Sequence, residues 1–356
     1  MAAEEATPKY ADLVCEGGGV KGIGLAGAYS MLEEKGYEAK NVAGTSAGAI
    51  TAALIAAGYR ADELKEIIVT LDYRQFQDEA WEDKLGKAAS IFLDQGIYEG
   101  DRFYEWIKEK LEAKGIRTFR DLVLKDETDP KYRSRLQVIA SDVTGRRLLV
   151  LPKDAGKLGY KDQDDLEVAL AVRMSMSIPI FFEPVRIKND ETDTTHTIVD
   201  GGMLSNFPVW LFDCEPGEEP EWPTFGLLLV EPEPQKPISH RLEKDGKRDR
   251  GVSALIDYVK AMAQTMMEAH DRLYIEKEQF ARTVPIPTLG VGTTEFDITR
   301  ERALALYESG RKATEEFLKD WDFERYVAEF RQGTKKDYSR REELVAELRR
   351  VPAGTR

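Results

Sequence analysis

Cysteine, histidine and long apolar runs are all scarce in this sequence. Its 356 residues include two cysteines and three histidines, and no apolar run approaches the roughly 18 residues of a membrane-spanning helix. Two cysteines cannot form a disulfide framework, and the apolar surroundings of Cys15 predict a buried thiol. The polar, acidic N-terminus has no signal-peptide apolar region. We therefore expect a cytoplasmic protein, or one delivered by a route that its N-terminus does not reveal.

Positive charge is in deficit as well. The 65 acidic and 51 basic residues give a formal net charge of −14, which argues against a nucleic-acid partner because phosphate contacts need a basic surface. The same charge opposes attraction of the whole surface to anionic lipid, although a local patch can still make peripheral membrane contact. The basic residues between 244 and 250 are interspersed with acidic ones, so a solvated loop is the favoured interpretation of that segment.

Glycine-rich turns are present where a predicted strand is followed by a predicted helix. Residues 10–16 are predicted to be a strand that enters a glycine-rich turn at 17–22, and residues 22–35 are predicted to be helical. A second strand at 41–43 enters another glycine turn, and an alanine-rich helix follows over 47–57. This repeated order of strand, turn and helix is typical of a doubly wound α/β sheet.

Beyond these turns, the hydrophobic pattern predicts further elements of a single domain. The predicted helices are 61–72, 101–114, 165–174, 251–276, 299–320 and 341–350, and the predicted strands are 136–141, 147–151 (the return strand of a hairpin), 197–199 and 225–230. Irregular structure is expected at 73–100, 231–250 and 331–340. We predict a flexible tail at 1–9, a main domain at 10–330 and a C-terminal extension at 331–356.

Ser46 lies at the centre of a G-x-S-x-G motif with Gly44 and Gly48. This pattern mounts a serine on a sharp turn between a strand and a helix, where small neighbours are needed and the helix dipole favours a developing alkoxide. A serine at this point can also simply cap the following helix. The strand before the motif and the helix after it favour a catalytic nucleophile.

The turn at residues 17–22 (Gly-Gly-Gly-Val-Lys-Gly) can bind an anion, because successive backbone N–H groups at a helix N-terminus point toward it. Lys21 would add positive charge beside an oxyanion held there. The segment also matches G-x-G-x-x-G, so a dinucleotide-binding turn with Glu38 near the ribose is an alternative, and tight packing is another. The nearby Ser46 motif favours the oxyanion, because a nucleotide site has no use for a second such turn.

Asp200 ends a predicted strand and precedes Gly201 and Gly202. A carboxylate at the C-terminal end of a strand lies at the rim where sites form in parallel sheets, and the glycines let another backbone approach closely. An Asx-turn is an equally common role for such an aspartate.

None of the three histidines, His196, His240 and His270, has a recognisable catalytic setting. Asp200 is therefore the better candidate for the base that activates Ser46. A carboxylate with an ordinary pKa is a weak base for a hydroxyl, so this pairing requires a dry, apolar site that raises the pKa.

In combination, these motifs resemble those of the patatin-like phospholipases, which are acyl hydrolases with a Ser–Asp dyad. Residues 140–145 and 173–182 are similar to the family as well, and the resemblance covers residues 10–230. It implies a three-layer α/β/α sandwich with a mainly parallel central sheet, here followed by a helical C-terminal extension. It implies Ser46 as the nucleophile and Asp200 as the general base. The implied oxyanion-hole residues are Gly17, Gly18, Gly19 and Lys21, and the implied supporting glycines are Gly22, Gly44, Gly48, Gly201 and Gly202.

The resemblance implies a lipid acyl hydrolase that needs no metal or cofactor: a phospholipase A or lysophospholipase with general esterase activity. Its substrate would be a phospholipid or another acyl-ester lipid. The apolar segment 174–182 is then either the lining of an acyl-chain pocket or part of the core. Three alternatives stay open: a histidine-dependent α/β-hydrolase, a dinucleotide-binding module, and an effector that a small molecule or protein activates through the C-terminal third.

Overall fold

The computed structural model describes residues 9–71, 96–98, 100–215, 218–231, 277–293 and 295–331. Several predicted segments lie outside these residues. They are the tail at 1–8, most of the irregular region 73–100, the loops at 232–250 and 332–340, and the helices at 251–276 and 341–350. His240 and His270 lie outside them as well.

Strands and helices are interspersed along the chain. The strands are β1 (Lys9–Cys15), β2 (Tyr37–Thr45), β3 (Gly96–Tyr98), β4 (Leu136–Asp142), β5 (Arg147–Leu151), β6 (Ile180–Phe182), β7 (Val185–Asn189), β8 (Thr194–Asp200), β9 (Thr224–Val230) and β10 (Thr283–Pro287). The α-helices are α1 (Ile23–Glu34), α2 (Ala47–Ala56), α3 (Ala61–Val69), α4 (Asp101–Ala113), α5 (Val168–Ser175), α6 (Lys277–Ala281), α7 (Arg300–Asp320) and α8 (Phe323–Phe330). Short 3₁₀ helices span Gly19–Gly22, Phe119–Leu122, Ala155–Leu158, Gln163–Asp165, Gly201–Met203 and Val209–Phe212.

The main sheet is largely parallel. β10, β9, β1, β2 and β4 are neighbours in this order and run in the same direction. Parallel neighbours need a crossover connection, which α1 supplies between β1 and β2. The predicted α/β fold with a mainly parallel central sheet is confirmed.

β8, which ends at Asp200, runs against this direction. It is antiparallel to β4 and pairs with the last three residues of that strand, whereas β2 pairs with the first four. β5 pairs with the last five residues of β4 and therefore occupies the opposite edge. β2 and β8 consequently share one edge of β4 and meet there end to end.

The meeting point brings Ser46 and Asp200 to the same level of the sheet. Thr45, the last residue of β2, pairs with Ile139, and Asp200 pairs with the next residue of β4, Ala140. Our expectation that Asp200 reaches the rim as the end of a parallel strand is therefore wrong. Asp200 reaches this level because an antiparallel strand stops where β2 stops.

Other differences from the predicted elements are local. β3 lies in the region expected to be irregular and pairs with β6 in a separate two-stranded sheet. The hairpin of β4 and β5 is confirmed. β6, β7, β10, α6 and α8 were not predicted. β10 has two prolines, Pro285 and Pro287, which obscure a strand pattern and which strands tolerate at the edge of a sheet.

Two hydrophobic cores lie on the two faces of the sheet and give the three layers. The larger core joins alternate residues of the parallel strands to α1, α2, α3, α4, α5 and α7. The smaller core includes Val14, Ala43 and Ile139 from the other face and packs against the 3₁₀ helix Val209–Phe212. No helix in the described part of the chain has both the length and the apolar character to cross a bilayer.

α7 packs on α1 at backbone distance. A Cβ atom on Gly27 would lie 1.9 Å from the carbonyl oxygen of Tyr307, and one on Gly310 would lie 1.9 Å from that of Gly24. The predicted helix at 299–320 is thus confirmed, and it is an integral part of the main core.

Candidate active site

Ser46 occupies a strained turn between β2 and α2. Its φ of 53° and ψ of −127° lie outside the regions that residues with side chains prefer. The turn is compact: a Cβ on Gly44 would lie 2.3 Å from the Gly48 carbonyl oxygen, and one on Gly48 would lie 2.3 Å from that of Cys15. The Ser46 side chain makes no capping hydrogen bond to α2, so the alternative of a simple helix cap is wrong. A strained turn between a strand and a helix is the geometry that a nucleophile elbow requires.

Asp200 is fully buried and uses only one carboxylate oxygen for structure. Its Oδ1 accepts a hydrogen bond of 2.7 Å from the Gly202 N–H, which is the Asx-turn considered as an alternative. Oδ2 has no hydrogen-bond partner of standard geometry among the described residues. Burial raises the pKa of Asp200 to about 7, while the Ser46 hydroxyl and the Gly202 N–H, as neighbours of the carboxylate, lower it. One Asp200 oxygen therefore forms the Asx-turn, and the other oxygen is not used by the fold.

The end of α5 and the loop that follows it hold both residues. The Ser46 N–H donates a 2.9 Å hydrogen bond to Ser175 Oγ, and the Asp200 N–H donates one of 2.9 Å to the Ser177 carbonyl oxygen. The sequence interpretation considered this loop for its apolar residues and missed both serines. The two serines are visibly two residues apart in the sequence, but a single sequence does not show that they contact Ser46 and Asp200.

The glycine turn offers fewer free donors than predicted. The Gly17 N–H donates a 3.0 Å hydrogen bond to the Asn206 carbonyl oxygen, so the assignment of Gly17 as an oxyanion donor conflicts with its observed bond. In the part of the chain that the structure describes, no acceptor faces the N–H groups of Gly18 and Gly19. Gly19 has a φ of +56°, a conformation that glycine adopts without strain.

A further backbone donor lies on the Ser46 turn, which is in contact with the glycine turn. Ala47 is the first residue of α2, and its N–H has no acceptor within the described ranges. The two turns are in contact, because a Cβ on Gly22 would lie 3.1 Å from the Ala47 Cβ. The sequence interpretation missed Ala47, although in nucleophile elbows the residue after the serine commonly supplies an oxyanion donor.

Lys21 does not present a free charge. Its side chain is buried, and Nζ lies 2.6 Å from Glu231 Oε1 at the end of β9. The ammonium is neutralised by this ion pair, so an effect of Lys21 on an oxyanion stays a prediction. Of the other supporting glycines, Gly201 packs against β4: a Cβ there would lie 2.3 Å from the Ile139 carbonyl oxygen.

His196 has a structural partner. It is buried on β8, and its Nδ1 lies 3.0 Å from Asp142 Oδ2. Asp142 Oδ2 also accepts a 3.1 Å hydrogen bond from Arg147 Nε, and Oδ1 accepts one from the Gly145 N–H. This network closes the β4–β5 turn, and His196 does not line the cavity at Ser46.

Glu38 lies at the wrong end of the sheet for a ribose ligand. It pairs in register with Tyr10, whereas the glycine turn follows Cys15, which pairs with Gly44. Five residues of strand separate these levels, which is roughly 17 Å. The dinucleotide-binding alternative is therefore wrong, because Glu38 cannot contact the ribose of a nucleotide bound at the glycine turn.

An apolar cavity opens beside Ser46. Its described lining consists of Gly19, Val20, Gly22, Ser46, Ala47, Ile50, Thr51, Ile68, Leu71, Phe103, Met176, Ile178, Phe182 and Phe296. Met176, Ile178 and Phe182 therefore face the cavity, whereas Met174 is fully buried in the core. Segment 174–182 is thus divided between the lining of this cavity and the core, and an acyl chain as the occupant of the cavity stays a prediction.

Phe296 brings the C-terminal third of the chain into the site. It lines the cavity, and Thr293 in the same loop accepts a 3.1 Å hydrogen bond from the Val20 N–H in the glycine turn. The sequence interpretation found no motif in this region.

No group of three or more His, Cys, Asp or Glu side chains in the described ranges is arranged for a metal ion. Cys15 is buried as predicted, and burial raises the pKa of its thiol to about 12, which keeps it protonated.

Comparison with known proteins extends over most of the chain. A family profile described as "Patatin-like phospholipase" matches residues 13–213. The uncharacterized protein YqhO of Bacillus subtilis (strain 168) is 41% identical over 317 residues, which is 88% of this chain and 100% of that protein. The probable lipid hydrolase 463L of Invertebrate iridescent virus 6 is 26% identical over 205 residues, or 57% of this chain and 63% of that protein. The crystal structure of VipD from Legionella pneumophila shares the fold, with a TM-score of 0.50 and 19% identity over 88% of this chain and 67% of that one.

Proposed function

This chain belongs to the patatin-like phospholipase family, and on that premise we propose that it hydrolyses acyl esters of lipids with Ser46 as nucleophile and Asp200 as general base. The name of the viral relative, a probable lipid hydrolase, supports the same class of reaction. More specifically, we propose a phospholipase A or lysophospholipase that also cleaves simple esters. We assign no metal or cofactor to the reaction.

One observation carries the proposal: a buried carboxylate, with one oxygen that is not used by the fold, lies beside a strained serine. Among the described residues, Asp200 Oδ2 makes no hydrogen bond of standard geometry, and the Ser46 hydroxyl is the neighbouring side chain that lowers the pKa of this carboxyl group. Burial raises the pKa of Asp200 to about 7, so the carboxyl group is divided between its acid and base forms near neutral pH. A base of this strength is far better matched to a serine hydroxyl than an exposed aspartate.

Acylation follows from this pairing. Ionised Asp200 takes the Ser46 hydroxyl proton while Oγ forms a bond to the ester carbonyl carbon. The carbonyl oxygen becomes an oxyanion, and the N–H groups of Gly18, Gly19 and Ala47 are the donors available to hold it. The protonated Asp200 then gives its proton to the departing alcohol oxygen as the carbon–oxygen bond breaks, which leaves an acyl-enzyme.

Deacylation repeats the sequence with water. Asp200 takes a proton from water, the hydroxide oxygen bonds to the acyl carbon, and the same donors hold the second oxyanion. The proton returns to Ser46 Oγ when the acyl–serine bond breaks, and the fatty acid leaves. Because both half-reactions use the one carboxyl group, its pKa governs both.

The cavity supports a lipid as the substrate. Its side chains near Ser46 are almost entirely aliphatic or aromatic, among them Phe103, Ile178 and Phe182. Such a lining gives a fatty acyl chain an apolar environment and also excludes water from the carboxylate, which sustains its raised pKa.

The test compares the wild type with Ser46→Ala and Asp200→Asn on a phospholipid and on a p-nitrophenyl ester. Asp12→Asn is the matched control, because Asp12 is also buried and burial raises its pKa to about 7 as well. We expect both site variants to lose hydrolysis while the control keeps it. A fluorophosphonate probe should label the wild type and not Ser46→Ala, as seen by intact mass.

The outcomes separate the alternatives. Hydrolysis that survives in Ser46→Ala contradicts the proposal outright. Hydrolysis that survives in Asp200→Asn and is lost in His196→Ala, His240→Ala or His270→Ala supports a histidine-dependent mechanism. Activity on simple esters without release of fatty acid from phospholipid would keep the dyad and reject the lipid substrate.

A further inference from the structure

Asn206 binds both polar main-chain groups of Gly17. Its carbonyl oxygen accepts the Gly17 N–H at 3.0 Å, and its side-chain Nδ2 donates to the Gly17 carbonyl oxygen at 3.0 Å. Nδ2 also donates to Glu16 Oε1 at 3.4 Å. Asn206 is 5% exposed, so these bonds are made in a nearly dry environment where they are strong.

The orientation of the Asn206 amide follows from its partners. Two acceptor oxygens face Nδ2, so the nitrogen must be on that side and Oδ1 on the other. Oδ1 has no partner in the described structure and points at the Cα of Gly17: a Cβ there would lie 2.2 Å from Oδ1 and 3.0 Å from the Ser46 Cβ. Asn206, Gly17 and Ser46 are thus packed in series.

The residues that precede Asn206 and Gly17 in the chain, Ser205 and Glu16, are hydrogen-bonded to the strands on either side of β1. Ser205 accepts a 3.1 Å hydrogen bond on its carbonyl oxygen from Thr45 Oγ1, at the end of β2. Glu16 Oε2 accepts one of 2.5 Å from the Leu229 N–H on β9. The residues that bind Gly17 are therefore connected to β2, which ends next to Ser46, and to β9, which lies on the other side of β1.

We propose that Asn206 is a positioning residue that holds the glycine turn so that the N–H groups of Gly18 and Gly19 face the oxyanion formed at Ser46. The inference rests on the proposed function of Ser46. Three successive glycines have large conformational freedom, whereas an oxyanion hole needs its donors within about 3 Å of one point. Asn206 removes that freedom from the first glycine and leaves the next two N–H groups unoccupied.

The expected effect is on the chemical step. Loss of one oxyanion donor typically lowers kcat by about 10²–10³-fold, and a mobile turn misplaces two donors. Asn206→Ser removes the amide, and Asn206→Asp keeps the shape while placing an acceptor against the Gly17 carbonyl oxygen and Glu16. We expect kcat to fall about 10²-fold in each variant with KM within about twofold, because the ground state does not need the donors.

Asn41 is a closely matched control. It is also buried, its Nδ2 donates to the carbonyl oxygens of Tyr132 and Ser134 at 2.7 and 3.0 Å, and its Oδ1 has no partner among the described residues. It lies on β2, well before Ser46. Asn41→Ser makes the same chemical change in a comparable setting away from the glycine turn.

The experiment measures kcat and KM on a p-nitrophenyl ester for wild type, Asn206→Ser, Asn206→Asp and Asn41→Ser. Rates are expressed per active site, titrated to completion with a fluorophosphonate, so that misfolded protein does not count. Affinity for a trifluoromethyl ketone, which forms a tetrahedral adduct with the serine, is measured alongside. We expect the ketone affinity of both Asn206 variants to fall by the same factor as kcat, and neither quantity to change in Asn41→Ser.

Two results overturn the inference. One is equal loss of kcat in Asn206→Ser and Asn41→Ser, which would reveal a general packing effect. The other is a loss confined to KM or to the fraction of active sites. Failure of the proposed function is a separate outcome, because hydrolysis would then persist in Ser46→Ala whatever Asn206 does.

Discussion

Two buried aspartates, Asp12 and Asp200, share one electrostatic property and differ in almost everything else. Burial raises the pKa of each to about 7. Asp12 lies on β1, level with the first residue of β9, and its Oδ1 accepts a 3.1 Å hydrogen bond from the Asn41 N–H. Asp200 lies where β2 and β8 meet, and its Oδ2 is unpaired in the described structure.

The neighbours of the two carboxyl groups explain the difference. The Trp222 side chain, the Asn41 N–H and the charge of Arg282 all lower the pKa of Asp12, which makes it a supported structural group. The groups that lower the pKa of Asp200 are the Ser46 hydroxyl and the Gly202 N–H. A raised pKa alone is therefore poor evidence of a catalytic role, and what distinguishes Asp200 from Asp12 is the strained serine beside it.

The largest expected contrast is in activity. Asp200→Asn removes the base, and we expect kcat/KM for a p-nitrophenyl ester to fall about 10⁴-fold, as in other serine hydrolases whose base system is disabled. Asp12→Asn should stay within about threefold of the wild type. Steady-state kinetics on purified protein measure both, and comparable losses in the two variants would erase the distinction between them.

The next contrast is in stability. A carboxyl group whose pKa is higher in the folded than in the unfolded state stabilises the protein at low pH, and this contribution is lost as pH rises through about 7. The cost of ionising each group is on the order of 4 kcal/mol. We expect the free energy of unfolding in urea to fall between about pH 4 and pH 7 and then to level off, and each Asp→Asn variant to weaken that fall. In stability, unlike activity, the two aspartates should behave alike.

The pH dependence of activity should again separate them. Asp200 must be ionised to act as a base, so kcat/KM should rise about tenfold per pH unit below pH 7 and level off above it. Asp12→Asn should leave this profile in place. A profile that is flat from pH 5 to pH 8 in the wild type would contradict Asp200 as the titrating base.

The smallest effect concerns the two faces of the sheet. Phe182 lines the cavity at Ser46, whereas Phe212 is buried in the core on the other face. Phe182→Leu should change the ratio of kcat/KM for decanoyl and butanoyl esters several-fold, since each methylene in an apolar pocket contributes about 1 kcal/mol. Phe212→Leu should leave that ratio unchanged, although it also shortens a buried aromatic side chain.

The sequence predicts the fold class, and it singles out two residues that the structure brings to the same level of the sheet, for a physical reason. Sharp turns between strands and helices require glycines at fixed spacings, and these leave a readable pattern around Ser46 and Asp200. The reversed direction of β8 leaves no such pattern, because a short apolar strand has the same composition in either direction. Thr197, Ile198 and Val199 predict a strand and nothing about its partner.

The hydrogen bonds that decide which donors are free could not be predicted at all. Gly17, Gly18 and Gly19 are equivalent in sequence, yet Asn206 occupies the N–H of the first alone. That distinction depends on a residue 189 positions away in the chain. The role of Phe296 is similarly invisible, since a single aromatic residue in a loop has no periodicity to interpret.

The end-to-end meeting of β2 and β8 makes the site dependent on strand register. Successive side chains of a strand point to opposite faces, so a slip of β8 by one residue would turn Asp200 away from Ser46 and bring Val199 or Gly201 to its level. A single-residue insertion within β8 should therefore abolish the pairing, whereas the same insertion in the turn at 190–193 between β7 and β8 leaves it intact. Length variation in relatives of this chain is then permitted in that turn and forbidden a few residues later.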